Sequence, residues 1–584
     1  MSAVADLATR FRSCPTTGLK VDRQAELLVR VHAVSAVVSM ILGVIGAFGL
    51  VLTRWQAVHL LSAEWYYRLL TVHAMSMLIF FIIFFEMALL FFAGPILLNG
   101  RAVAPKLSWA SWILMVAGTV LTEVMIWTGK ADVLFTSYPP LRADANYYLG
   151  IILFAVGALI TTGLFFANIL TAKKEKRYEG AMPLVAYGAT TAAVIAVITL
   201  LHGAIIYVPT WTWAMGWTPM PDPQVYRMIW WGLGHSSQQI NVAAMVSVWY
   251  FLGAVTVGGV VINEKISRSA FFLYVLFISL ASAHHLLVDP GMGPAWKIWN
   301  TSYAMYLAVL ASMIHGFTVP AGLEAGMRLR GYTKGMFEWL TRAPWGDPGF
   351  SAMIFSIVMF GFIGGITGVT FGTEQINIIA HNTLRVPGHF HATVVAGTAL
   401  AFMGVTYYVI PLIFRKQVAF WPLARIQPYL FAIGMTLFTM AMTFAGTFGV
   451  PRRHYDISFA GATLSVQYNP AVDLLLAIMA IGGLLVATAV TLYIVIAAWS
   501  VFFGKRLPDD AKPDMAMGFH GVPQGILRLP KQVHGREAGE EETPAHDLAM
   551  HVRGTYVLVG VFLAAFVLYY FVNWKLLSFV WKIG

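Results

Sequence analysis

Two stretches of the chain concentrate side chains able to do chemistry: HNTLRVPGHFH, residues 381–391, and SAHHL around His284 and His285. Their surroundings are apolar enough to cross a bilayer. An imidazole in such a medium is costly without a partner, ionisable groups inside apolar spans mark functional sites, and neutral imidazole is the commonest metal ligand. The density of histidine therefore calls for metal. His389 and His391 are two residues apart, about 200° of helical rotation, so their rings leave opposite faces and must serve different centres. His284 and His285 are about 100° apart, so both reach one metal only where the helix is locally distorted.

The elements that must position these groups are membrane spans. Hydrophobic residues make up 58% of the 584-residue chain and charged residues only 11%, and the mean hydropathy is +0.71. A soluble domain has no way to bury so many apolar runs close to the roughly 20 residues that cross a hydrocarbon core. About thirteen spans are predicted, roughly 29–53, 66–98, 106–128, 147–171, 183–208, 225–262, 269–288, 298–327, 351–378, 388–414, 424–449, 471–503 and 554–578. The expected fold class is an all-α polytopic membrane bundle. Residues 1–28 read as a polar cytoplasmic segment without a cleavable signal, and 29–503 as the membrane catalytic core. Residues 504–552, centred on HGREAGEEETPAHD, read as a cytoplasmic linker, and 553–584 carry the final span.

The net charge of +11 does not point to nucleic acid, because the basic residues sort by side. With the amino terminus in the cytoplasm, every even-numbered loop is also cytoplasmic and carries Lys or Arg, such as Lys173 to Arg177 and Arg328 to Arg342. That is the positive-inside pattern and predicts a multi-pass protein of the cell membrane. The one strongly basic outer loop, PRRHY at 451–455, calls for a local anion. Cys14 is the single cysteine, so any metal is held by nitrogen or oxygen. In this orientation His73, His235, His284, His285, His389 and His391 all fall in the outer part of the membrane at comparable depth.

Six histidines at one level suffice for a bis-imidazole, a mono-imidazole and a three-imidazole site. Their spacing resembles the catalytic subunit I of the haem-copper oxidase superfamily, nearest its B-type members, through LTVHAM, WWGLGH, AHHLLVDPGMGPAWK, AHNTLRVPGHFH and VPRR. The resemblance implies that His73 and His391 are axial ligands of a low-spin haem and His389 the proximal ligand of a high-spin haem. It makes His235, His284 and His285 ligands of a non-haem metal. Arg452 and Arg453 match a pair that binds haem propionates, and His381 matches a residue beside them. Two b-type haems are favoured. Copper is favoured over iron for a site of three neutral nitrogens.

Four residues after His235, on the same helix face, stands Gln239. Oxygen-reducing A- and B-type members hold there a tyrosine, cross-linked to the histidine, that supplies an electron and a proton. Tyr274, ten residues before His284, is too far along the helix to replace it. Ligands kept and tyrosine lost resembles the nitric oxide reductases of the superfamily, so the expected reaction joins two NO into N2O, with reduction of O2 to water as the alternative. Gln239 is then a candidate for the catalytic centre, as a contact to the metal site, a hydrogen-bond partner of substrate or water, or a packing amide. A transporter or a haem sensor is the non-enzyme alternative.

His202 and His315 read as helix–helix hydrogen bonds or proton relays. Glu86 and Glu123 read as proton carriers or buried pairs, and Tyr250 and Ser312 fall where a B-type proton channel would run. With no CxxCH and no cysteine pair, electron entry is expected on a membrane-anchored partner subunit bearing dinuclear copper or c-type haem.

Overall fold

The computed structural model describes residues 10–178, 180–278, 284–460, 463, 465–511 and 552–580. Twelve helices among them are long and apolar enough to cross a membrane: α1 (Arg23–Arg54), α2 (Ala63–Ile96), α3 (Pro105–Trp127), α4 (Ala145–Lys174), α5 (Leu184–Ala214), α6 (Pro223–Val257), α8 (Pro294–Leu329), α9 (Pro348–Gly372), α10 (Arg385–Phe414), α11 (Trp421–Thr447), α12 (Ala471–Phe503) and α13 (Arg553–Val580). Helix α7 covers Glu264–Leu273 and continues as π-helix through Tyr274–Ile278. Residues 279–283 lie outside the described residues, as does most of the charged stretch expected at 504–552.

Local chemistry sets the helix starts. The side chains of Asp22, Ser62, Asp144, Asp222 and Asp347 accept first-turn N–H groups of α1, α2, α4, α6 and α9. Proline opens α3, α6, α8 and α9, where its missing N–H leaves no bond unmade. Helix α6 ends at Val257, five residues short of the expected 262, and Gly258, with φ of +65°, turns the chain; glycine adopts that conformation without strain. Every residue from Gln239 to Val257 is buried, as a helix apolar on all sides requires, so α6 runs through the middle of the bundle. Helices α11 and α12 pack closely where a Cβ at Gly434 would come 2.9 Å from the Gly482 carbonyl.

The polar amino-terminal segment contains a hairpin that the sequence did not suggest, β1 (Phe11–Ser13) paired antiparallel with β2 (Lys20–Asp22). It is tied to the bundle by charge. Arg12 donates to both Glu26 carboxylate oxygens at 2.7–3.0 Å and to Leu412 O at 2.8 Å. Nearby, Arg415 donates to Pro508 O at 2.6 Å and Ala511 O at 2.8 Å. Burial alone lowers the basicity of the Arg12 guanidinium, but its pairing with Glu26 outweighs burial and raises it.

The start of the last helix is anchored by a buried acid. Glu324 of α8, fully buried, accepts from Gly554 N at 3.1 Å and from Thr555 N and Oγ1 at 2.7 Å, while Arg328 Nε donates to it at 2.8 Å. It caps α13 from outside. Glu324→Ala leaves these buried donors unpaired, a cost of about 2–4 kcal/mol, and should visibly lower the thermal unfolding midpoint of the purified protein. Glu324→Gln, which keeps an acceptor oxygen, should cost less.

Candidate metal centres

The haem-type positions are prepared by backbone carbonyls. His73 Nδ1 lies 2.9 Å from Gly43 O of α1, His391 Nδ1 2.7 Å from Pro387 O, and His389 Nδ1 3.0 Å from Gly364 O of α9. An Nδ1–H donated to a carbonyl leaves the Nε2 lone pair as the coordinating atom and fixes the ring. The two-residue step from His389 to His391 separates the rings as the helical rotation requires. His389 turns to α9, where Thr367 Oγ1 is 3.1 Å from its Nδ1 and a Cβ at Gly368 would come 2.8 Å from its Cε1. His391 turns to His73.

The His73 and His391 rings are parallel to within 7° with centroids 6.3 Å apart. That is too far for ring contact. Two metal–nitrogen bonds of about 2.0 Å, with roughly 1.15 Å from each ring centre to its nitrogen, span about 6.3 Å. The spacing therefore suits one metal ion between the two rings.

His235, His284 and His285 form a second constellation, each offering a ring nitrogen, all within 4.8 Å of one another. His235 Nδ1 and His285 Nε2 are 3.3 Å apart, the edge expected, at about 3.3 Å, for two nitrogens about 2.0 Å from one tetrahedral metal. His284 and His285 sit on a tight turn beyond α7, the local distortion that adjacent ligands require. Two supports of that turn escaped the sequence reading. Asn377 Nδ2 donates to His284 O at 3.0 Å and Phe371 O at 2.8 Å, and Trp231 stacks on His285 with centroids 3.7 Å apart and planes within 7°. Trp231 is four residues before His235, a readable spacing. Nothing in the sequence signals Asn377.

All six histidines line one largely apolar cavity of about 710 Å³ that also reaches Arg452 and Arg453. The basic loop is folded against the histidine segment: Leu384 N donates to Val450 O at 2.8 Å and Arg452 N to Asn382 O at 3.0 Å. Arg54, at the end of α1, orders the same loop through Pro451 O at 3.1 Å and Arg452 O at 2.6 Å. Arg227 is paired bidentately with Asp289 at 2.7 and 3.0 Å. Arg452 Nε and His381 Nδ1 are buried without a partner among the described residues. Burial, then the neighbouring Arg453, pushes Arg452 down to about 9; burial, then Arg452, pushes His381 down to about 4. Cationic donors enclosed in this way fit carboxylates such as haem propionates, which would restore the arginine charge.

The remaining candidates are placed as follows. Gln239 Nε2 is 3.1 Å from His235 Nε2. His202 Nδ1 bonds Ile198 O of its own helix at 2.8 Å. His315 Nδ1 is 3.1 Å from Tyr250 OH, and Tyr274 OH is 3.0 Å from Ser312 Oγ. Ser76 donates to Glu123 at 2.6 Å, whereas Glu86 Oε1 is buried without a partner among the described residues.

The family described as cytochrome C and quinol oxidase polypeptide I matches residues 28–485. The chain belongs to that family. Among its relatives is cytochrome c oxidase subunit 1 of Thermus thermophilus, 29% identical over 458 residues that cover 77% of this chain and 78% of the relative. Another is cytochrome c oxidase subunit 1 of Synechocystis, 26% identical over 477 residues covering 76% and 77%. A chain from a structure titled as a heme-copper terminal oxidase dimer has the same fold, with TM-score 0.78 at 24% identity over 93% of this chain and 92% of that one. This family member is thus a multi-pass membrane oxidoreductase of a kind that binds haems and a further metal and works in a complex with other subunits. The parallel His73/His391 pair, the carbonyl-locked His389, the three-histidine cluster and the enclosed arginines fit those groups.

His73→Leu or His391→Leu should halve the haem bound per chain and remove the absorption of a six-coordinate low-spin haem, while a CO-binding haem remains. Optical spectra of the reduced protein with and without CO check this. Equal loss of both signals in both variants would count against two separate centres.

Proposed function

We propose that the chain is the catalytic subunit of a nitric oxide reductase of the cell membrane, carrying out 2 NO + 2 e⁻ + 2 H⁺ → N2O + H2O. The observation that carries this reading is Gln239. Its buried amide lies against His235, where a phenol would be needed to give an electron and a proton for breaking O–O, and an amide can give neither. Tyr274, ten residues before His284, is too far along the chain to stand in for it.

In this reading His73 and His391 hold a low-spin haem, His389 a high-spin haem, and His235, His284 and His285 a non-haem metal, copper favoured over iron. Arg452, Arg453 and His381 border the propionates. When bound, the haems and metal would supply electron transfer and open positions for the gas. Gln239 orients substrate or water by hydrogen bonding without changing charge. The amino terminus lies in the cytoplasm, and electrons come from a membrane-anchored partner with dinuclear copper or c-type haem.

Proton supply is supported by a buried hydroxyl network. Tyr250 OH is 3.0 Å from Ser267 Oγ, near the start of α7, 2.8 Å from Thr318 Oγ1 and 3.1 Å from His315 Nδ1. The His315 ring lies 5.6 Å from that of Tyr274, whose hydroxyl bonds Ser312 on the cavity wall.

The relatives named as oxidases favour the second reading, reduction of O2 to water. Turnover with NO and with O2 under one electron donor separates the two. The expected result is stoichiometric N2O from NO and O2 consumption slower by at least tenfold, with Gln239→Ala reducing NO turnover and Gln239→Tyr not creating fast O2 reduction by itself. Rapid full reduction of O2 to water with no N2O from NO overturns the proposal.

A further inference from the structure

His235 is oriented differently from the three histidines of the haem-type positions. Their Nδ1 atoms meet backbone carbonyls, whereas His235 Nδ1 faces His285 Nε2 at 3.3 Å and its Nε2 faces the Gln239 amide at 3.1 Å. The atom turned to the three-histidine centre is therefore Nδ1. A neutral imidazole that gives its Nδ1 lone pair to a metal carries its proton on Nε2, and that N–H, buried, needs an acceptor.

Gln239 is the group in place to accept it. Its Oε1 is buried with no partner among the described residues. The neighbouring amides are engaged elsewhere: Asn241 Nδ2 donates to Gln238 Oε1 at 3.2 Å, and Gln238 Nε2 to Ser237 Oγ at 3.4 Å. As oriented, the Gln239 NH2 faces His235 Nε2, which suits the tautomer with its proton on Nδ1, directed at His285. A half-turn about the terminal bond exchanges the amide oxygen and nitrogen. The same side chain then accepts from the other tautomer.

We propose that Gln239 is a positioning residue that sets the tautomer of His235: its Oε1 accepts the His235 Nε2–H and so commits Nδ1 to the metal. The ring gains and loses no proton overall; the proton leaves Nδ1 and one returns to Nε2. The inference rests on the reading of His235, His284 and His285 as a metal site, and holds whichever gas is reduced.

Two near-isosteric variants test it in the full complex, with both haems as the control for folding. Glutamate only accepts; methionine offers no donor and only a weak sulfur acceptor. Non-haem metal per chain is measured after graded exposure to a chelator, together with the infrared stretch of CO bound to that metal. Gln239→Met should hold the metal 10–100-fold more weakly with both haems kept, and its CO band should move up. Gln239→Glu should hold metal at least as tightly as the unmodified chain, with the band moved down by the more electron-rich imidazole. Wild-type retention and an unmoved band in Gln239→Met overturn the proposal. If that variant loses its haems, an unmoved band in Gln239→Glu does so instead. An unmodified complex lacking the non-haem metal removes the three-histidine reading itself, a distinguishable failure.

Discussion

The structure depends on the cost of placing neutral imidazoles in an apolar interior. Each ring has two nitrogens, and in a medium without water both need partners. At the haem-type positions the protein satisfies one with a carbonyl, from Gly43, Pro387 or Gly364, and leaves the other for a metal. Of these carbonyls only that of Gly364 lies in a π-helical turn; Gly43 and Pro387 sit in α-helical segments. π-Helical turns fall beside these histidines: Met75–Phe81 after His73, Phe360–Gly365 opposite His389, and His391–Ala399 from His391 itself.

A second constraint is charge. The loop that carries Arg452 and Arg453 is clamped to the His381 segment and to Arg54, so the guanidinium groups border the cavity that the histidines line. Enclosing cations destabilises the fold unless anions join them, which couples stability here to cofactor binding. At the opposite end, ion pairs among groups of the chain itself, Arg12 with Glu26 and Arg328 with Glu324, fasten the hairpin and the last helix. One end is completed from within and the other by what it binds.

The helical architecture was legible in the sequence because apolar runs and positive loops are long, redundant signals. The rotation between His389 and His391 also carried through, since it follows from helix geometry alone. What escaped were short or shape-dependent features. The hairpin at Phe11–Ser13 and Lys20–Asp22 has three-residue strands, too few for an alternating pattern. The end of α6 at Val257 was hidden by apolar residues that continue past it. Asn377 acts through a backbone carbonyl far away in sequence, and such a contact leaves no periodic trace.

The account stands on separate centres built from one shell of histidines. Quantifying haem and non-haem metal in the purified complex, with magnetic resonance to assign spin states, tests it most directly. The account predicts two haems and one non-haem metal per chain, one haem low-spin with two imidazoles and one high-spin with an open position. A chain with one haem or none, or with His389 and His391 on the same metal, would contradict it.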